Sequence, residues 1–294
     1  MTGARELTLV LGGRWYGGYG AAPCPVCQPD RRKDQNALTL SDGRSGLLLH
    51  CKKLACDFCD ILSAAGALAG DYHTPDPAAI AKRTAEAKAK AARRAQAAHQ
   101  LWSDAQPIDG TPAETYLRRR GISCPLPDRL RFHPACWHGP SGARFPAMVA
   151  LVEGGESFAV HRTFLRPDGH AKAGLSGGDK LMLGATAGGA VRLSEGGSRL
   201  VAAEGIESAL SLLCGLLSGP VEVWAALSTS GMRSLRLPEK TGQLVIAPDG
   251  DQPGRTAAFA LADRAHALGW RVSLIDPGEG ADFNDILTGK GVAA

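Results

Sequence analysis

The sequence predicts an α/β protein: a parallel sheet in the C-terminal third, a strand-rich α+β unit before it, and a small cysteine-punctuated unit at the start. Three observations carry this. Residues 196–294 alternate strand-like and helical runs, 111–195 hold apolar strand runs joined by Gly- and Pro-rich turns, and five of the eight cysteines fall between 24 and 59. At 294 residues, with 44% hydrophobic and 21% charged content, the chain is long enough for two or three compact units. A net charge of +4 permits a nucleic-acid partner without requiring one. No apolar run reaches membrane-spanning length and the start lacks a secretory pattern, so the expectation is a cytoplasmic protein without a membrane partner. In that compartment the cysteines read as metal ligands or free thiols.

The first domain is expected over 1–70. Residues 1–20, rich in glycine with Trp15, Tyr16 and Tyr19, read as a flexible lead or a base-stacking surface. Ala37-Leu38-Thr39-Leu40 and Gly46-Leu47-Leu48-Leu49-His50 flank Asp42-Gly43, a hairpin signal, and 60–66 read as a short helix. Cys24-x₂-Cys27, 23 intervening residues and Cys51-x₄-Cys56-x₂-Cys59 have the spacing of a zinc ribbon. Zn²⁺ takes four ligands, so five cysteines and His50 compete; by generic spacing Cys56 and Cys59 form the better second pair. Cys124, Cys136 and Cys214 stand isolated and read as ordinary core or surface residues.

Residues 71–110 read as a basic helical linker. Asp76-Pro77 opens an alanine-rich helix with Lys82, Arg83, Lys88, Lys90, Arg93 and Arg94 against the single Glu86, and it has no clear apolar stripe. Thr111-Pro112-Ala113-Glu114 has the form of a capping box and Gly121 follows the helix it opens. Strands are expected around 130–134, 145–152 and 158–165.

In the C-terminal domain, 196–294, the expected strands are Leu200–Ala203, Val221–Leu227, Gln243–Ala247 and Trp270–Ile275, with helices over 206–217 and 254–268. Such alternation implies a parallel sheet with right-handed crossovers. Glu204, and Asp249 with Asp251, stand at the carboxyl ends of two of these strands, where ligands of open sheets bind. If the strands are neighbours the carboxylates converge on one crevice. Oxygen-only ligands select Mg²⁺ or Mn²⁺, the metals of phosphoryl chemistry. Gly205 and Gly250 leave room for a phosphate at the backbone, and Asp282-Phe283-Asn284-Asp285 forms a third acidic cluster.

Ala203-Glu204-Gly205-Ile206-Glu207-Ser208, followed by Ala247-Pro248-Asp249-Gly250-Asp251-Gln252-Pro253-Gly254, resembles the toprim domain of bacterial primases, topoisomerases and some nucleases, which is a Rossmann-like parallel-sheet fold. The pattern is similar to the toprim primases of phages and mobile elements. Ser208 stands where replicative primases carry an aspartate. Val160–Leu165 and Gly178-Asp179-Lys180 resemble the basic subdomain ahead of toprim in primases. The resemblance implies that Lys180 contacts nucleotide phosphates, with Arg162 and Lys172 behind it. Primase fingers read His-Cys-x₄-Cys in their second half, which points to Cys24, Cys27, Cys51 and Cys56 as the zinc ligands. It further implies a DNA primase that uses Mg²⁺ or Mn²⁺, with Asp282 near the metal. Its partners would be single-stranded DNA, read with help from Arg31, Arg32, Lys33, Lys52 and Lys53, and nucleoside triphosphates. No Gly-x₄-Gly-Lys-Ser/Thr loop is present, so a replicative helicase is expected as a separate protein. The competing expectations are a toprim nuclease and a non-catalytic DNA-binding or loading module.

Overall fold

The computed structural model describes residues 3–30, 36–43, 46–66, 77–197 and 199–289. Asp76, Arg31, Arg32 and Lys33, singled out above, lie outside the described residues. The chain divides into two compact units, residues 1–89 and 90–294.

The first unit opens with helix α1 (Ala4–Val10), where a flexible lead was expected. Ala4, Leu7 and Leu11 recur at helical spacing and are buried, so the amphipathic stripe holds the segment in place. Strands β1 (Arg14–Trp15), β2 (Gly20–Ala22), β3 (Leu38–Asp42) and β4 (Leu47–Cys51) form an antiparallel sheet in that order. The expected hairpin is β3–β4, paired from Leu38↔Cys51 to Asp42↔Leu47. Tyr16 and Tyr19 are exposed and stack on each other at 5.3 Å. Helix α2 (Phe58–Ala64) is capped by Asp57, whose carboxylate accepts from the Cys59 N–H. It buries Ile61 and Leu62 against Leu38, Leu40, Leu7 and Leu11.

Helix α3 (Pro77–Asp104) contains the division between the units. Its basic first half includes Arg83, which pairs with Asp42 at 3.2 Å. Its last turns are no solvated linker: Ala98 is buried, and Leu101 and Trp102 pack with Val149, Val160 and Leu183. Three apolar contacts at the end of a 28-residue helix are too few to show as a stripe over its whole length.

In the second unit, β5 (Gln106–Pro107), β6 (Leu130–His138), β7 (Ala143–Val152), β8 (Ala159–Phe164) and β9 (Lys180–Leu183) form an antiparallel sheet in chain order. A register shift between His133 and Cys136 marks Pro134, which has no N–H for the ladder. Helix α4 (Pro112–Arg119) begins as the sequence indicated, with Thr111 accepting from the Glu114 N–H. Glu114 departs from the reciprocal box, accepting from the Gly110 N–H and pairing with Arg118. Gly121, at φ +78°, lets the chain turn away after the helix.

The remaining elements are β10 (Val191–Arg192), β11 (Arg199–Ala203), α5 (Ile206–Ser211), β12 (Glu222–Ala225), α6 (Thr229–Ser234), β13 (Gln243–Ala247), α7 (Gln252–Ala267), β14 (Arg271–Leu274) and α8 (Phe283–Leu287). The expected helix over 206–217 is α5 followed by a single wide turn, Leu212–Leu216. Strand order is β10-β12-β11-β13-β14, parallel except for the edge strand β10. Strands buried on both faces read as continuous apolar runs, which is why Leu200–Ala203 and Leu244–Ala247 carry no polar residue. Leu200, Ala202, Leu244 and Ile246 face Met232, Ala258 and Leu261 of α6 and α7. Val201, Ala203, Val245 and Ala247 face the core shared with α5, α8 and the strand-rich sheet.

Candidate active site and metal centre

The parallel sheet decides whether the acidic residues meet. β11 and β13 are direct neighbours with Ala203 opposite Ala247, so Glu204 and Asp249 leave adjacent strands at the same edge. β12 lies on the other side of β11, so the order reverses between β11 and β13, the crevice position in doubly wound sheets. Glu204 Oε2 and Asp251 Oδ1 lie 3.0 and 2.9 Å from the point where a Cβ on Gly254 would sit. Both carboxylates therefore crowd the same side of Gly254, which has no side chain to exclude them.

Burial, then the charges of Asp249 and Asp251, push the Glu204 carboxyl up to about 7, against the opposing pull of the Asp249 N–H and Lys180. Its Oε2 is buried and accepts no hydrogen bond. Burial likewise raises Asp249, with Asp282 and Asp251 adding to the rise, while the Ser208 hydroxyl and Lys180 oppose it. The Ser208 hydroxyl donates to Asp249 Oδ1 at 3.0 Å. Asp251 caps α7 by accepting from the Gly254 N–H at 2.7 Å. Asp282 caps α8 in a reciprocal box with Asp285. Capping thus explains the positions of Asp251 and Asp282, and leaves Glu204 and Asp249 without a comparable structural task. A buried carboxylate oxygen without a donor, beside carboxyls that raise one another's proton affinity, suits a hard divalent cation. The carboxylates are more widely set than a closed site: among the described residues, the cysteines below are the one group of three or more ligand atoms mutually within 4.8 Å.

Gly205 has the room expected of it, since a Cβ there would meet only side-chain oxygens at 3.7 and 3.8 Å. Gly250 differs. A Cβ on it would lie 1.8 Å from the Gly278 carbonyl oxygen, and its N–H donates to Ala281 O at 2.8 Å. Its lack of a side chain serves the packing of the 278–281 turn rather than an open approach for phosphate.

Lys180, at the start of β9, pairs with Glu207 at 2.9 Å, and the Tyr116 hydroxyl donates to the other Glu207 oxygen at 2.8 Å. Burial alone would raise Glu207, yet Lys180 and Lys172 hold its carboxyl well below the usual range. Lys172 is itself lowered by burial and by Lys180. It lines a cleft of ≈ 410 Å³ with Tyr116, Arg119, Arg120 and Asp179. His161 is buried in the same charged neighbourhood and lowered to about 4 by burial, then by Lys180. Arg162 is elsewhere. Alternation along β8 turns it to the opposite face from His161, where it donates to the Trp137 and Met182 carbonyls at 2.9 and 3.4 Å. It does not stand behind Lys180. Ser208 was singled out in the sequence as a departure from the toprim pattern; Tyr116, the partner of Glu207, was missed, and the available signal in this cluster was Glu207 itself, a charge inside the otherwise uncharged run Ile206–Leu217.

In the first unit, the sulfur atoms of Cys24, Cys27, Cys51 and Cys56 all lie within 4.8 Å of one another. Of the competitors for the second pair, the fold brings Cys51 and Cys56 to the other two, while Cys59 is exposed on α2. Burial would raise Cys51, but the N–H groups of Leu54, Cys56 and Lys53 bring its thiol down to about 6. Backbone donors around a sulfur favour the thiolate that a metal binds. Cys27, 3.5 Å from Cys51, is pushed up to about 12 by burial and by its neighbouring thiols. Cys51 is ready to ionise beside Cys27 and Cys56, which resist it, a contrast that a metal's charge would resolve; the four-cysteine cluster fits a zinc site. Lys52 and Lys53 beside it are exposed.

Residues 92–193 match the model of a domain of unknown function (DUF7146), and residues 199–293 match that of the toprim domain. No curated protein matches the chain. Among solved structures, the chain is similar to the zinc-binding and RNA polymerase domains of the Aquifex aeolicus primase, at 14% identity and a TM-score of 0.42, covering 99% of this chain and 83% of that one. The RNA polymerase domain of the Mycobacterium tuberculosis primase matches at 18% identity and a TM-score of 0.38, over 68% and 79% of the two chains. The primase fragment of the bacteriophage T7 primase-helicase matches at 15% and 0.30, over 49% and 62%. No helix among the described residues is long and apolar enough to cross a membrane. The parallel sheet with Glu204 and the Asp249-Gly250-Asp251 turn at one edge, together with the family match over the same residues, makes the C-terminal third of this chain a toprim domain.

Proposed function

We propose that the protein is a DNA primase of the phage or mobile-element kind, which joins nucleoside triphosphates into short primers on single-stranded DNA. The observation that carries the reading is the placement of Glu204 and the Asp249/Asp251 pair beyond neighbouring parallel strands, with an unpartnered oxygen on Glu204. Those three carboxylates, with Asp282 beside them, would hold Mg²⁺ or Mn²⁺. Such an ion, when bound, activates an attacking hydroxyl and neutralises charge on the phosphates. The chain's own contributions are separate. Ser208 orients Asp249, Glu207 and Tyr116 hold Lys180 at the rim, and the ammonium of Lys180 favours the ionised forms of Glu204 and Asp249. Lys180 and Lys172 are the cations placed to meet a triphosphate. The cysteine ribbon supports the same reading as an aid to template recognition; the domain plan proposed with it is 1–70, 71–110, 111–195 and 196–294. A replicative helicase would be a separate partner.

The test is synthesis on single-stranded DNA with labelled nucleoside triphosphates and Mg²⁺, beside an Asp249→Ala/Asp251→Ala control. Labelled primers from the intact protein and none from the control are expected. Equal product from both, or none from the intact protein on varied templates, would defeat the proposal; cleavage of the DNA in place of synthesis would assign a toprim nuclease.

A further inference from the structure

Cys124 and Cys214 stand 90 residues apart and look unremarkable in the sequence. The fold brings them together at the end of α5. After Ser211 the helix widens into one π-type turn, with the Leu217 N–H donating to Leu212 O at 3.1 Å. Cys214, at φ −87° and ψ 29°, and Gly215, at φ +106°, leave helical geometry there. The helix therefore ends in this turn, and Leu217 is already extended. Here the turn aims the Cys214 sulfur at the loop that follows α4, where it accepts from two backbone donors, the Ser123 and Cys124 N–H groups, each at 3.3 Å. Cys124, from its own side, points its thiol at Leu210 O at 3.9 Å, near enough to Cys214 that each sulfur shifts the other's ionisation. Both cysteines are half-buried at the edge of the core, within reach of small solutes.

We propose that Cys124 and Cys214 form a redox-active dithiol, in which Cys214 is the nucleophile and Cys124 the resolving thiol, taking a small hydroperoxide as oxidant. Two N–H donors on one sulfur stabilise a thiolate as they would an oxyanion. Burial works against it, but those donors and the Cys124 thiol bring Cys214 below the ordinary thiol range, whereas burial and Cys214 push Cys124 up to about 12. The asymmetry assigns the roles. The Cys214 thiolate attacks one oxygen of the hydroperoxide; the O–O bond breaks, the leaving oxygen takes a proton, and Cys214 becomes a sulfenic acid. The Cys124 sulfur then displaces hydroxide from it, giving up its own proton, so that a disulfide forms and water leaves. Hydrogen peroxide is thereby reduced to two waters as the two thiols are oxidised. The bond would join the loop after α4 to the end of α5, the helix that carries Glu207 and Ser208.

The experiment uses the full, zinc-loaded chain, reduced and desalted. Limiting iodoacetamide at pH 7, read peptide by peptide, should label Cys214 about tenfold faster than exposed Cys59. Stoichiometric hydrogen peroxide should then give a peptide pair linked through Cys124 and Cys214 that a dithiol reductant releases. In Cys124→Ser, dimedone should trap a sulfenic acid on Cys214; in Cys214→Ser, Cys124 should stay reduced. Labelling of Cys214 no faster than of Cys59, or absence of the linked pair after peroxide, overturns the proposal.

Discussion

The cysteine quartet and the carboxylate rim hold their ligand atoms under different terms. In the ribbon, four sulfurs sit within 4.8 Å of one another on short elements that contribute little else, and backbone donors already favour a thiolate at Cys51. At the rim, the oxygens are set wider, two of the aspartates also cap helices, and Glu204 is held partly protonated near neutral pH. The first arrangement suits a metal that stays and holds a small core together. The second suits a hard cation that arrives with its substrate and leaves with its product. On the proposed function, ligand spacing and spare structural duties would separate a structural from a working metal site.

The largest effect that would break this contrast is loss of zinc from the ribbon. Structural zinc contributes on the order of 10 kcal/mol to small fingers. Cys56→Ser should drop zinc well below one per chain and melt residues 1–89, leaving a cooperative transition for the second unit by calorimetry. Cys59→Ser should keep full zinc content. Equal zinc loss in both would mean that the quartet is not the site.

The next effect concerns the rim. Asp249→Asn should lower Mg²⁺-dependent synthesis by about 10²- to 10³-fold, with zinc content unchanged and the melting temperature not lowered, since a buried charge is removed. A smaller loss would place the chemistry elsewhere.

The third is a pH effect on stability. The folded-state pKa of Glu204 is raised from 4.5 to about 7, so its folded form binds the proton more tightly than the unfolded chain does. The stability this contributes is complete below about pH 4.5 and is lost as pH rises through about 7. Without divalent metal, Glu204→Gln should therefore stabilise the protein at pH 8 relative to pH 5, by about 1–2 kcal/mol once its partial exposure is allowed for. Added Mg²⁺ should cancel the gain by stabilising only the parent. A gain that does not depend on pH would mean that Glu204 is not strained by its neighbours.

The smallest is Ser208→Ala, which removes one hydroxyl from Asp249. Supporting hydrogen bonds of this sort are worth about 10-fold or more in metal affinity. The Mg²⁺ concentration for half-maximal synthesis should rise by about that factor, with little change at saturating metal.

How much of this was legible in sequence follows from the range of each interaction. Glu204 and Asp249 could be placed because an apolar strand followed by an acidic turn is a local pattern, and a parallel sheet puts all such turns at one edge. The ribbon was legible for the same reason, though spacing alone favoured Cys59 and only the resemblance to primase fingers pointed to Cys51. The Glu207–Lys180–Tyr116 cluster was not legible, since its members come from α5, β9 and α4, and no local rule relates them. Nor was the meeting of Cys124 with Cys214, which depends on a widened turn that the helical pattern over 206–217 conceals. Helix α1 was missed because the glycines after it dominate the composition of the first 20 residues.

Gly250 leaves one consequence to draw out. The residue between the two aspartates is the seat on which the 278–281 turn rests, through two backbone hydrogen bonds and a carbonyl that leaves no space for a methyl group. The acidic cluster at Asp282 thus takes its position from the middle of a neighbouring motif. Lengthening or exchanging the loop after β14 would displace the Asp282 charge at the rim without altering Glu204, Asp249 or Asp251. Variation among related chains can in this way retune the crevice from a distance, provided that the seat itself stays bare.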